Sequence, residues 1–321
     1  MQMLVTGGSG FIGAGLVREL VAAGHRVRVL DDHSRGHAER LAGLDVEVVA
    51  GDVRDLQAVR AACEGVEVLW HLAYVNGTRF FYEKPDLVLE VGIKGALNTV
   101  EAALDAGVRR YVLASTSETY NEPTHVPTTE AERLMIPDVT NPRFSYGGGK
   151  IASELLALHL GGHRGLESVI FRPHNIYGPA MGFEHVIPEV VERIVRMSDG
   201  LTQKRIFLPI QGDGSETRAF CFIDDGARGA ALAGLLGTPG GIYHLGCQEE
   251  TSIRHLIEMI GESLGVELVI MPGPLRAGGT SRRCPDITKL RGLGYAPQVS
   301  LADGIARTAR WYADYFLGAA K

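Results

Sequence analysis

The first thirteen residues constrain this chain more than any other segment. Gln2-Met3-Leu4-Val5-Thr6 reads as a short buried strand. It runs directly into Gly7-Gly8-Ser9-Gly10-Phe11-Ile12-Gly13, and then into the helical spacing of Leu16, Val17, Leu20 and Val21. A backbone with glycine at 7, 10 and 13 can turn sharply from strand to helix and lie close to a pyrophosphate. The helix N-terminus then offers free N–H groups and the positive end of its dipole. The spacing is G-x-x-G-x-x-G, not the commoner G-x-G-x-x-G. Its place between strand and helix is what makes it a strong signal for a dinucleotide.

Strand–helix alternation continues through the first half. Strands are expected at Met3–Thr6, Val27–Leu30, Val46–Ala50, Val68–Leu72, Tyr111–Ala114 and Ser168–Phe171. Helical spacing covers Phe11–Ala23, Leu56–Cys63, Leu87–Ala106 and Ile151–Leu160. Apolar strands alternating with helices predict an α/β fold, a Rossmann-type doubly wound parallel sheet. After Arg172, glycine and proline become frequent, as in loops built around a ligand. Ala219–Ile223 and Ile242–Leu245 read as strands returning to the large sheet, and Leu301–Phe316 as the last helix. The expected division is a dinucleotide-binding domain over 1–172 plus about 219–247. A smaller C-terminal α/β substrate-binding domain takes 173–218 and 248–321.

The cofactor reading rests on Asp31, about twenty positions beyond the loop, at the end of the second strand. A carboxylate there accepts hydrogen bonds from the adenosine ribose and repels a 2′-phosphate, which favours NAD over NADP. Arg35 keeps NADP as the minority case. Asp52 and Val53, after the third strand, belong to the adenine end, although a Gly-Asp turn is common anyway.

Tyr146 and Lys150 lie four apart at the start of a helix and share a face. An ammonium beside the phenol, with a positive nicotinamide near, is expected to lower the phenol pKa toward neutrality. The phenolate then takes a proton from a sugar hydroxyl while hydride leaves. Ser115-Thr116-Ser117-Glu118 follows the strand ending at Ala114, where a doubly wound sheet faces its ligand.

These segments resemble the extended short-chain dehydrogenase/reductase class, in its nucleotide-sugar epimerase/dehydratase family. The resemblance takes in Thr6–Gly13, Asp31, Gly51–Val53, His71-Leu72-Ala73, Ser115–Tyr120 and Tyr146 with Lys150. It continues through Arg172–Pro179, Gln211–Arg218, Asp224-Asp225 and Arg282–Asp286. It implies Tyr146 as base, Lys150 as its modulator and Thr116 as hydroxyl partner. Ser117 and Glu118 join the catalytic set. Cofactor contacts are implied for Gly7, Gly10, Phe11, Ile12, Gly13, Asp31, Asp52, Val53, Leu72, Ala73 and Pro173, with Tyr146 and Lys150. Asn175, Arg218 and Arg276 are implied at the substrate diphosphate, where guanidinium groups suit phosphate. Arg283 is implied near the sugar. The implied substrate is a nucleoside-diphosphate sugar, and the implied assembly is a homodimer.

The shared first step is oxidation at sugar C4. Thr116-Ser117-Glu118 resembles the Thr-Ser-Glu of 4,6-dehydratases and uronate decarboxylases, and Arg283 falls where decarboxylases carry an arginine. His174–Pro179 resembles epimerases, and Ser117 stands where glucose-type dehydratases use an aspartate acid. Gly92 and Asn121 depart from the family's usual Asn and Gly. The leading expectation is an epimerase. A dehydratase or C6 decarboxylase using Glu118 is the alternative, and a non-catalytic dinucleotide-binding regulator a third. Phe80, Phe81 and Tyr82 either line the sugar pocket or pack. The same holds for His174, Phe183 and His185.

Composition narrows the setting. The chain has 321 residues, 45% apolar and 22% charged, with a net charge of −6, which argues against a general nucleic-acid binder. No apolar run reaches membrane-spanning length and no charged-then-apolar leader precedes the first strand. Cys63, Cys221, Cys247 and Cys284 lack metal-type spacing. The expectation is a cytoplasmic protein without metal, membrane or nucleic-acid partners.

Overall fold

The computed structural model describes residues 1–274 and 281–318. Its strands are β1 (Gln2–Thr6), β2 (Arg26–Asp31), β3 (Val46–Ala50), β4 (Val68–His71), β5 (Arg110–Ala114), β6 (Glu167–Pro173) and β7 (Ile176–Tyr177). There follow β8 (Arg205–Ile210), β9 (Thr217–Ala219), β10 (Cys221–Phe222), β11 (Ile242–Leu245), β12 (Glu250–Ser252), β13 (Glu267–Pro272) and β14 (Arg282–Arg283). The helices are α1 (Phe11–Ala22), α2 (Leu56–Cys63), α3 (Thr78–Glu83), α4 (Pro85–Leu89), α5 (Gly95–Asp105) and α6 (Ser145–Leu155). After them come α7 (Val186–Met197), α8 (Ile223–Leu236), α9 (Ile253–Leu264), α10 (Thr288–Arg291) and α11 (Leu301–Phe316).

Seven strands form one parallel sheet in the order β11-β6-β5-β4-β1-β2-β3. The doubly wound, Rossmann-like fold is therefore as expected. The order reverses between β1 and β4, so the crevice opens at their carboxyl ends, where the glycine loop lies. One face is covered by α1 and α8, through Leu16, Val17, Leu20, Ala230 and Ala233. The other is covered by α2 and α5, through Val59, Ala62, Val100 and Ala103. Trp70 of β4 is fully buried, and α8 passes directly over it. A Cβ on Gly234 would lie 2.1 Å from the indole.

Helix α4 runs into α5 through a π-helical turn, Glu90–Lys94, and a second such turn, Leu156–Gly161, extends α6. Wide turns of this kind often sit at functional sites. A third core gathers Ile187, Val190, Val191 and Ile194 of α7 with Leu208, Ile257, Ile305 and Tyr312. The α7 spacing i, i+3, i+4, i+7 is that of a one-faced helix. Ile287, Leu290 and Tyr295 pack instead into the large sheet's core.

One strand expectation is corrected. Ile242–Leu245 does join the large sheet, but Ala219–Ile223 does not. Cys221–Phe222 pairs with Ile176–Tyr177, Thr217–Ala219 enters a three-stranded sheet, and Ile223 starts α8. The reason is that β11 already pairs with β6 over residues 170–173, which leaves only the edge beyond Pro173. No helix among the described residues is long and apolar enough to cross a membrane.

Candidate active site

The glycine loop closes as a tight turn. Gly7 takes φ +71°, and a Cβ there would sit 2.6 Å from the Ala73 nitrogen. A Cβ on Gly13 would fall 2.1 Å from the Gly7 carbonyl oxygen, so Gly13 supports the loop from beneath rather than lining the crevice. The crevice holds about 320 Å³ and is lined by Gly7, Gly10, Asp31, Asp52, Val53, Leu72 and Ala73. A backbone stripped of Cβ atoms at one end and a carboxylate at the other is the donor and acceptor set a dinucleotide requires.

Asp31 is buried, and its carboxylate accepts from the backbone of Ser9 at 3.0 Å and of His33 at 2.9 Å. It therefore ties the end of β2 to the glycine loop. Arg35 also lines the crevice and stacks 4.7 Å from the Phe80 ring centre. Asp52 is gripped by Arg54 at 2.6 Å, and that hydrogen bond holds its carboxyl below the usual range.

Beside it lies a second cavity of about 340 Å³. Phe11, Ile12, Thr116, Ser117, Glu118, Arg143, Tyr146, Pro173, Asn175 and Arg283 line it. Three separate stretches converge here. The end of β5 delivers Thr116, whose Oγ1 caps the following turn by accepting from the Glu118 backbone at 3.2 Å. The first turn of α6 delivers Tyr146, whose phenol shares this cavity with the Thr116 hydroxyl. Strand β14 delivers Arg283, which donates to Glu118 at 2.5 Å, while Arg143 donates to the other carboxylate oxygen at 2.9 Å. Burial opposes charge on Glu118, but the two guanidinium groups outweigh it and hold the carboxyl below its usual range.

The expected lowering of the Tyr146 pKa includes the field of a bound nicotinamide, and the protein's own groups act in the other direction. Burial pushes the Tyr146 pKa up; the Thr116 hydroxyl resists this and the Glu118 charge adds to it. Lys150 is 3% exposed and donates to the Ala114 carbonyl at 2.6 Å. Its ammonium lies 4.0 Å from the centre of the Tyr74 ring. Burial brings Lys150 down to about 7, against the pull of Glu154. Lys150 thus stands behind the pocket wall rather than in it.

Behind β5, a buried chain of polar groups braces the site. Ser115 donates to Glu154, Arg172 clasps Glu154 and donates to the Tyr120 hydroxyl, and Tyr120 meets His244 at 2.6 Å. His174 packs beside His244 at 4.6 Å and so belongs to this brace rather than to the sugar pocket. Asn121 occupies a left-handed position at φ +53°, which asparagine tolerates better than most residues.

Other sequence-marked residues divide. Asn175 lines the pocket and also donates to the Ala219 carbonyl at 3.1 Å. Arg218 pairs in register with Arg283 but donates to the Thr217 carbonyl at 2.7 Å, outside the pocket lining. Arg282 forms an exposed pair with Glu250 at 2.6 Å. Arg276 lies outside the described residues. Phe81 stacks on Tyr146 at 5.2 Å and lines the pocket, whereas Tyr82 is exposed. His185 lines the pocket, but Phe183 packs on Tyr312. Sequence reading missed Arg143 and Tyr74. Arg143, three residues before Tyr146, had proximity as its only signal. Tyr74 directly follows His71-Leu72-Ala73.

Known proteins resemble this chain along nearly its whole length. The chain is 34% identical over 322 residues to UDP-glucose 4-epimerase of Mycolicibacterium smegmatis, covering 97% of this chain and 98% of that one. It is 29% identical over 324 residues to UDP-N-acetyl-alpha-D-glucosaminuronate decarboxylase of Bacillus cytotoxicus, covering 97% of each. Its fold matches a crystal structure of dTDP-glucose 4,6-dehydratase from Streptomyces venezuelae with NAD bound. That match has a TM-score of 0.84 and 34% identity, over 98% of this chain and 97% of that one. Three different reactions thus appear among similar proteins. The model of the NAD-dependent epimerase/dehydratase family matches residues 3–246, and this chain belongs to that family.

Proposed function

We propose that this chain is a nucleotide-sugar epimerase acting through a 4-keto intermediate. The observation that carries the reading is the double ion pair on Glu118. Expelling the C6 hydroxyl as water requires a proton donor beside it. Glu118 is held ionised between two arginines and Ser117 is no acid, so the pocket is poorly equipped for elimination. Epimerisation needs only one reversible proton acceptor and a sugar free to turn.

NAD, when bound, supplies a hydride acceptor and a positive ring whose field favours the phenolate. Gly7, Gly10, Asp31, Asp52, Leu72 and Ala73 would hold it. Tyr146 Oη takes the proton of the C4 hydroxyl, with the Thr116 hydroxyl in the same pocket. On the return step Tyr146 gives that proton back to the carbonyl oxygen. Asn175 lies at the pocket edge for the diphosphate, and Arg218 stands beside Arg283 one strand over.

A C6 decarboxylase is the second reading, favoured by Arg143 and Arg283 in the same pocket. A sugar carboxylate could replace Glu118 as their partner. Product mass from a panel of nucleotide sugars separates the readings. Unchanged mass with altered stereochemistry supports epimerisation, whereas loss of carbon dioxide or of water overturns it.

The proposed assembly is a homodimer. Leu89, Ile93 and Leu155 remain exposed at 38%, 37% and 54% on packed helical segments, and a second copy would cover them. Light scattering at the mass of one chain would refute this.

A further inference from the structure

Tyr74 occupies an unusual seat. It lines the dinucleotide crevice, yet its hydroxyl is buried and has no hydrogen-bond partner among the described residues. The phenol is wedged between the π-helical turn 90–94 and α6. A Cβ on Gly92 would lie 2.1 Å from Tyr74 Oη, and one on Gly149 2.2 Å from it. Any larger residue at either position would push the ring out. The ring face meets the Lys150 ammonium at 4.0 Å, and the ring stands edge-on to Tyr146, centres 5.1 Å apart at 90°.

We propose that Tyr74 is a positioning residue acting through Lys150: its ring seats the ammonium, and that seat exists because residues 92 and 149 are glycines. The inference rests on the reading of Tyr146 and Lys150 as the working pair. A buried ammonium has lost most of its water, and an aromatic face replaces part of that solvation. The Ala114 carbonyl supplies one hydrogen bond, and the hydroxyl of Tyr74 supplies none. Other titratable groups face Lys150. Glu154 lies one turn along α6 and His71 stands on β4, and burial pushes that imidazole down to about 3, with Lys150 adding to the fall. His71 is therefore neutral across the working range, which leaves the ring, Glu154 and the Ala114 carbonyl to hold the charge.

The test is a stability cycle on the full chain by urea unfolding across pH, with turnover as a second readout. In Tyr74→Leu the ammonium loses its seat and Lys150 titrates lower. The unfolding constant should then rise about tenfold more at about pH 5 than at about pH 9. The same substitution in a Lys150→Met background should lose that pH dependence; a pH dependence that survives there belongs to another group and overturns the proposal. Tyr74→Phe keeps the ring and should behave like the parent. Gly149→Ala should mimic Tyr74→Leu. Adding Tyr74→Phe should rescue it, because the nearest remaining ring atom is 3.5 Å from the new Cβ. In turnover, the alkaline limb of the pH profile should move down by about one pH unit in Tyr74→Leu and stay put in Tyr74→Phe.

A pH-independent effect of Tyr74→Leu overturns the proposal, as does Tyr74→Phe behaving like Tyr74→Leu. If Tyr74→Leu does not fold, the Gly149→Ala pair decides by rescue or its failure. Should no nucleotide sugar turn over at all, the proposed function fails while the stability cycle still reports on Tyr74.

Discussion

Arg283 donates to Glu118 at 2.5 Å across a separation of 165 residues, on the wall of the pocket that holds Tyr146. Arg143 completes the clamp from the opposite oxygen. The pair joins β14 to the turn after β5, so the carboxylate is a structural tie as well as the group on which the proposed function turns.

Glu118→Gln keeps the shape and removes the charge. For an epimerase, turnover should fall no more than about tenfold, because the residue does not exchange a proton with the sugar. An enzyme that eliminates at C5 and C6 would oxidise its substrate and stall, with NADH accumulating. Absorbance of bound NADH during a single turnover distinguishes the two.

Tyr146→Phe removes the phenol that shares the pocket with Thr116 and should lower turnover by at least about a hundredfold. The ring still packs between Phe81 and Tyr74, so the fold and the NAD content of the purified protein should match the parent. Retained turnover would remove Tyr146 from its role.

Lys150 carries a pH signature. Its folded pKa, about 7, lies below the ordinary 10.5, so the unfolded chain binds the extra proton between those values. Stability from this group is therefore gained as pH rises through that window and is lowest below about 7. Lys150→Met should flatten this rise in denaturant titrations while abolishing turnover. A rise that persists in Lys150→Met would assign it to another group.

Gly13→Ala should damage the cofactor loop from below. The added methyl would fall 2.1 Å from the Gly7 carbonyl oxygen, a backbone atom that cannot swing away. Overpacking of this kind costs about 1–3 kcal/mol. Thermal unfolding and NAD content of the purified variant should both drop, and unchanged NAD content would exonerate the loop.

The parallel sheet and the cofactor crevice were legible in the residues because their determinants are local. Apolar strands, glycine spacing and a carboxylate at a strand end all lie within about thirty positions of one another, and backbone geometry does the rest. That Tyr146 and Thr116 share one pocket was also legible, because two motifs at the same end of one sheet must face each other. Three matters were decided only by tertiary structure. Cys221–Phe222 pairs away from the large sheet because β11 already occupies the edge of β6. Arg143 and Arg283 hold Glu118 ionised, which no spacing along the chain announces. Lys150 rests on Tyr74 because two glycines, 57 positions apart, leave room for a ring between their helices. Local sequence sets the backbone and the phosphate cradle, but the charge state of a buried group depends on its solvent exposure and on distant neighbours. Those exist only once the chain has folded.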